Sequence, residues 1–320
     1  MQKVLFIIKK LVSLALTLLL VSVIAFFVFE IIPGDSVTSM LGTEYTEERA
    51  EALREELGYN EPMYVRYFDW LKGFISGDFG TSFNYNIPVR DIIADKLPVT
   101  LWLGGLSMIL VIFISIPLGV WFAWREHKGK GIILEYLNQF IMSIPSFFLG
   151  IIIVYVFGIF LKMFVPGQYV DYDENFMGFI AYLIPAAVTI AISKISMVAK
   201  FTRNSMVEQL GADYVRTARS KGASESRIFV HHVLRNGLTP VITFLGMVVA
   251  EVMAGSIIVE QVFNIPGLGR VLVTAVENRD YPVVQIIILY MAALVIVVNF
   301  FVDIIYKFID PRISIGVGNE

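Results

Sequence analysis

Cysteine is absent from the 320 residues, which excludes a disulfide framework, a thiol nucleophile and a thiolate metal site. Histidine is nearly so. His127, His231 and His232 all fall in polar stretches, leaving no imidazole cluster for a metal or a general base. Charge is sparse too: 17% of residues are Asp, Glu, Lys or Arg against 57% hydrophobic, too apolar for an ordinary soluble domain. No G-x-x-x-x-G-K-[ST] phosphate loop is present; the nearest fragment, KGKG at 128–131, lacks the upstream glycine and the hydroxyl residue. Repeats of 20 to 50 residues and low-complexity tails are also missing. The chain reads as an all-α polytopic membrane protein without its own nucleotide chemistry.

What is there is a series of apolar runs. Residues 11–32 are long enough to cross roughly 30 Å of hydrocarbon, and the run ends in Phe26, Phe27 and Phe29 rather than in the small residues of a cleaved signal peptide. Five further spans are predicted at 99–124, 138–164, 176–199, 238–265 and 283–306, with Pro117, Pro145 and Pro185 as candidate bends. Residues 33–98 form the one long segment outside the spans. A capped helix is predicted there over 46–57, with Thr46 as N-cap and a stop at Gly58. The implied divisions are 1–32, a cap at 33–98, and a five-span core at 99–320 that carries a polar loop at 200–237.

Charge placement orients these spans. The segments assigned to the cytoplasmic side hold three, three, seven and two Lys or Arg, whereas the two short outer loops hold only Lys162, Arg270 and Arg279. By the positive-inside rule both termini lie in the cytoplasm and the cap lies outside. The cap carries twelve acidic and six basic residues, in keeping with that side.

The most informative polar stretch is 200–235, with seven cations against three anions. Its centre predicts two short helices joined by a bend. Residues 213–221 favour helix, Gly222 suits a left-handed C-cap, and Ser224 can cap a second helix through Ile228, Val233 and Leu234. Tyr214, Val215 and Ala218 share one face beside Arg216, Arg219 and Lys221. Such a helix is either a docking element for a partner groove or a membrane-surface helix. A second stretch, 254–285, leaves the fifth span, turns at Asn264, Pro266, Gly267 and Gly269, and runs on through a helix at 270–277. Its two glycines read as ordinary turn residues, since they lack the spacing of a dinucleotide fingerprint.

Polar groups inside the spans are few. Glu251 lies about thirteen residues into the fifth span, where a lipid-facing carboxylate is costly, so it faces either a translocation path or another span. Lys194, nearer the end of its span, reads as a snorkelling side chain, and Asp303 can pair with Lys307 one turn on. Gly246, Ala250 and Ala254 form a small-residue face suited to a partner permease or to packing within the chain.

DYVRTARSKG at 213–222, HHVLRNGLTP at 231–240, GSIIVEQVFNIPGLG at 255–269, NRDYPVVQ at 278–285 and DIIYKFIDPRI at 303–313 together resemble the dipeptide/oligopeptide/nickel permeases of ATP-binding-cassette importers. IPGD at 32–35, LGYNEPMYVRY at 57–67, GDFGTSF at 77–83 and LPVTLWL at 97–103 extend the resemblance over nearly the whole chain, to the first, B-like permease of the usual pair. The resemblance implies a type I importer fold, a second permease subunit, two cytoplasmic ATPase subunits that carry ATP and Mg, and an extracytoplasmic substrate-binding protein. No cofactor, metal or nucleic acid is implied for this chain. The implied coupling loop comprises Asp213, Tyr214, Arg216, Thr217, Ala218, Arg219, Lys221 and Gly222. Glu251 is the candidate path residue, and Asn264, Pro266, Gly267, Gly269 and Arg270, with the cap, are candidate binding-protein contacts. The family loop often opens with Glu-Ala-Ala, whereas Gly211, Ala212 and Asp213 stand here. The substrates implied are peptides, or nickel and metal chelates. A stand-alone secondary carrier is the rival class, though it needs no ATPase-docking loop; a membrane enzyme would need paired carboxylates or a Ser/His pair within the spans.

Overall fold

The computed structural model describes residues 2–31, 37, 41, 45–56, 58–125 and 130–309. Twelve α-helices are named among them, in chain order: α1 Gln2–Ile31, α2 Glu47–Glu56, α3 Met63–Ser76, α4 Val89–Trp124, α5 Lys130–Met142, α6 Ser146–Ile153, α7 Phe176–Leu210, α8 Asp213–Ser220, α9 Glu225–Ile228, α10 Leu234–Phe263, α11 Leu268–Glu277 and α12 Tyr281–Ile309. Wide π-helical turns continue α6 through Val154–Phe160 and join α9 to α10 through Phe229–Val233. Five helical stretches are long and apolar enough to cross a membrane, and α5 with α6 adds a sixth if that bent pair counts as one span.

The prolines behave differently from one another. Pro117 in α4 and Pro185 in α7 sit inside continuous helices, at the loss of one backbone bond each. Of the three, Pro145 breaks its span: it is extended at φ −61, ψ 140, and α5 and α6 meet at 93°. The second predicted span also starts early. Helix α4 begins at Val89 and passes through Pro98 rather than starting at 99. Likewise α7 runs past 199 to Leu210, so the first part of the 200–237 loop is helix.

The chain divides into two compact units, Met1–Thr100 with Pro266–Val297, and Leu101–Ile265 with Val298–Glu320. Residues 266–297 thus group with the first hundred residues rather than with the rest of 99–320. The IPGD motif and Lys128 lie outside the described residues, as do the side chains of Asp303 and Lys307.

In the first unit the described part of the cap holds α2 and α3, whose ends are set by local signals. Thr46 Oγ1 accepts from the Arg49 N–H, as the sequence predicts, and Gly58 takes φ +69 past the end of α2. Helix α3 buries Tyr67, whose hydroxyl bonds Ser22 of α1 at 2.9 Å amid Phe26, Phe27 and Trp70. Val89, Ile92 and Ile93 pack with Leu268, Val283, Ile286 and Ile287, which is why helix formation starts well before the apolar run. Arg66 pairs with Glu30 and stacks on Tyr59 at the wall of a cavity of about 700 Å³.

Asp280, from the NRDYPVVQ motif, is fully buried and satisfied: Ser82 Oγ donates to it, as do the N–H groups of Phe83 at 3.1 Å and Asn84 at 3.3 Å. It fixes the 82–84 turn, a role its sequence position did not announce. Asp280→Ala strands the buried Ser82 hydroxyl and frees two partly buried backbone donors, and is expected to cost about 2 kcal/mol. Hydrogen exchange at Phe83 and Asn84 should rise sharply; unchanged protection there would refute the role.

Candidate functional site

The second unit contains the polar stretch singled out by sequence, and its shape is set by one glycine. Gly222 takes φ +79, its N–H donates to the Arg219 carbonyl at 3.0 Å, and the Ala223 N–H donates to the Ala218 carbonyl at 3.2 Å. These two bonds are a Schellman closure, which needs a residue in the left-handed region at that point. Ser224 then starts α9 with ψ 149 but makes no side-chain capping bond, contrary to the sequence reading.

The apolar face of α8 turns inward. Val215 is fully buried and packs with Met206, Ile228, Phe229 and Val233, and Tyr214 and Ala218 are partly buried against the same cluster. Tyr214 donates its hydroxyl to Gln209 Oε1 at 2.7 Å. The apolar side chains are therefore the elbow's own core and not a docking face. What α8 exposes is Asp213, Arg216, Thr217, Arg219 and Ser220, followed by Lys221 and Gly222. Arg219 reaches across the bend to Glu225 with two bonds, 2.6 and 3.0 Å, and that carboxylate raises the guanidinium pKa further above its ordinary value. Arg216 lies 3.7 Å from Asp213.

The elbow is clamped to both long helices that flank it. Ser205 of α7 donates to the Gly237 carbonyl of α10 at 2.7 Å, and a Cβ at Gly237 would stand 2.7 Å from Met206 Sδ. Gly119 of α4 is equally tight, since its Cβ would meet the Ala199 carbonyl oxygen at 2.6 Å. Helix α5 lies along α7 in the opposite direction, tied by Arg203 to Glu135 at 3.3 Å and by Asn138 to the Ser196 carbonyl at 2.9 Å. Neither Ser205 nor Gly237 stood out in the sequence, although Gly237 lies within HHVLRNGLTP.

Glu251 and Lys194 meet. Lys194 Nζ of α7 lies 2.5 Å from Glu251 Oε2 of α10, so the lysine is an ion-pair partner and not a snorkelling side chain. The small-residue face is largely internal: a Cβ at Gly246 would come within 2.9 Å of Val302 of the same chain, while Ala254 is exposed.

The 264–270 stretch differs from its sequence reading. Asn264, at φ 56 and ψ 39, is the left-handed cap that ends α10, and beside it Tyr182 donates to the Phe263 carbonyl at 2.7 Å. Gly267 is extended at φ −97 and Gly269 lies in the first turn of α11; both are buried, so neither acts as a left-handed turn glycine. Asn264 is exposed, and Pro266 and Arg270 are partly buried.

Comparison with known proteins gives two family matches. Residues 115–315 match the binding-protein-dependent transport system inner membrane component family, and residues 3–104 match the N-terminal family of such membrane components. An oligopeptide transport system permease protein of Bacillus subtilis is 37% identical over 93% of this chain and 95% of its own length. A glutathione transport system permease protein of Escherichia coli is 37% identical over 96% of this chain and 98% of its own.

Gly222→Val puts a β-branched residue at φ +79 with no atom to clash against, so its effect is backbone strain of about 1–2 kcal/mol. Amide exchange at 218–223 is expected to quicken about tenfold with α7 unaffected. Exchange equal to wild type would remove Gly222 from the control of the bend.

Proposed function

The chain belongs to the family of binding-protein-dependent transport system inner membrane components, and from that premise we propose that it is one of two permease subunits of an ATP-driven importer of peptides. It is a multi-pass membrane protein and a permease of the ATP-binding-cassette type. In this proposal a second permease completes the translocation path, two ATPase subunits supply the nucleotide and its Mg, and an extracytoplasmic binding protein delivers the substrate. Peptide is preferred over nickel or a metal chelate because the similar permeases named above carry oligopeptide and glutathione in their names.

The observation that carries the coupling role is the clamped elbow. Helix α8 presents cations and a rigid Schellman bend outward, while its apolar side is locked to α7 and α10. A force applied at Arg216, Arg219 or Lys221 therefore reaches two apolar helices without an intervening flexible joint. The bias of fifteen Lys or Arg against three supports a cytoplasmic elbow and cytoplasmic termini. ATP-driven closure of the ATPase pair would rock those helices as rigid bodies and expose the path alternately to each side. Asn264, Pro266 and Arg270, with the cap, are proposed to face the binding protein.

The test uses the complete complex in proteoliposomes. Gly222→Pro and Arg219→Glu are each expected to abolish the ATP hydrolysis stimulated by loaded binding protein while membrane insertion stays normal. Wild-type stimulation in both variants would sink the coupling role.

A further inference from the structure

Two features that a bilayer penalises converge on one place in the second unit. The first is the break between α5 and α6, where Ser143 and Pro145 are exposed and the backbone is not helical. Non-helical backbone at membrane depth is tolerated only where protein covers it or where it lines water. The second is the Lys194–Glu251 pair. Lys194 stands eighteen residues into α7, which starts at Phe176, and Glu251 seventeen residues into α10, which starts at Leu234. Their side chains remain 22% and 46% exposed. At about 1.5 Å per residue Lys194 lies toward the inner edge of a roughly 30 Å core and Glu251 well inside it, where an open carboxylate facing hydrocarbon is costly and a polar neighbour at its open side is favoured over lipid.

Both features border the same cavity. Met142, Ser143, Ile144, Pro145, Ser146, Ser193, Lys194 and Glu251 contribute to a space of about 250 Å³. That volume has room for roughly eight waters at about 30 Å³ each. Ser193 donates to the Ile144 carbonyl at 3.2 Å and so pins the break against α7. The first N–H groups of α6 have no side-chain cap. Along α10 the exposed positions Met247, Glu251, Ala254 and Ile258 form one stripe, which places the carboxylate in the middle of an open face.

We propose that the Lys194–Glu251 pair and the α5–α6 break line a water-filled vestibule of the translocation path, where the ammonium and carboxylate of the pair contact the charged ends of a passing zwitterionic peptide. This rests on the permease reading above. It assigns Lys194, Ser143 and the break to the path together with Glu251, and gives the site a ligand chemistry. A peptide carrying both charges can replace each member of the pair with its opposite terminus, so the pair opens without leaving a bare charge.

The absence of cysteine makes the test direct. Met247→Cys, Ala254→Cys and, as an exposed apolar position of α4, Phe113→Cys are introduced singly and assembled with the partner subunits in proteoliposomes. Each is treated with a quaternary-ammonium methanethiosulfonate, and modification is read on this chain. Thiolate is the reacting species, and one unit of pKa elevation in hydrocarbon removes about tenfold of it, so the cysteines at 247 and 254 should react at least about tenfold faster than that at 113. Trialanine with binding protein and ATP should slow the reaction at 247 several-fold. Adding Glu251→Gln or Lys194→Gln should abolish that protection, read as the ratio of liganded to unliganded rate within each variant. Equal rates at 247, 254 and 113 overturn the vestibule, and protection that survives both neutralisations overturns peptide contact by the pair. Failure of the native complex to take up trialanine would instead count against the peptide reading of the previous section, since the labelling rates decide the vestibule without substrate.

Discussion

Gly237 has no side chain at the point where α10 crosses α7, and the geometry of the elbow follows from that. A Cβ there would stand 2.7 Å from Met206 Sδ, a side chain with no exposure of its own, and at the same crossing Ser205 donates to the Gly237 carbonyl at 2.7 Å. With the two helices held at that distance, Val215, Ile228 and Val233 fill the angle between them and α8 has one place to lie. The bend at Gly222 then returns the chain to α9 with its turn closed by two backbone bonds. Close packing of this kind transmits displacement because the interior has few voids into which it could relax.

The bilayer acts on the same helices through length. At 1.5 Å per residue α7 is about 52 Å long, against a hydrocarbon thickness of roughly 30 Å, so part of it must stand clear of the membrane. The polar end is the one that does so. Lys200 and Arg203 are met there by Gln139 and Glu135 of α5, which gives the projecting turns partners that lipid could not offer. Helix α7 thus carries a change of surroundings along its own length, from apolar turns to polar ones that end at Leu210 just before α8.

Much of this was legible in the sequence wherever one residue type has one physical use. Five of the six apolar runs of span length, Thr46 as a cap and Gly222 at positive φ were read correctly from composition and spacing, whereas the run at 138–164 is a pair of helices bent by 93°. The readings that failed depended on what lay opposite. The second span was read as starting at 99, but Ile92 and Ile93 have Val283 and Ile286 to pack on, so the helix starts at Val89 and carries Pro98 within it, burial outweighing one missing backbone bond. Pro117 and Pro185 continue their helices while Pro145 ends one, a difference the three prolines do not carry in themselves. Val215 was assigned to an exposed face because periodicity marks a face without saying what covers it. Gly267 and Gly269 look like turn glycines, yet Asn264 takes the left-handed position and the glycines are buried.

The buried and half-buried charges separate by the same logic. Asp280 has no exposure, and its oxygens receive a hydroxyl and two backbone N–H groups, so a ligand would find little left to bind. Glu251 receives one ammonium donor, leaves nearly half its side chain open, and stands beside interrupted backbone that also wants a polar neighbour. A carboxylate accepts about four hydrogen bonds, and in hydrocarbon the remaining capacity would go unmet. The completed carboxylate holds a turn in place, whereas the incomplete one keeps acceptor capacity at its open side, which is the physical ground for the vestibule proposed above.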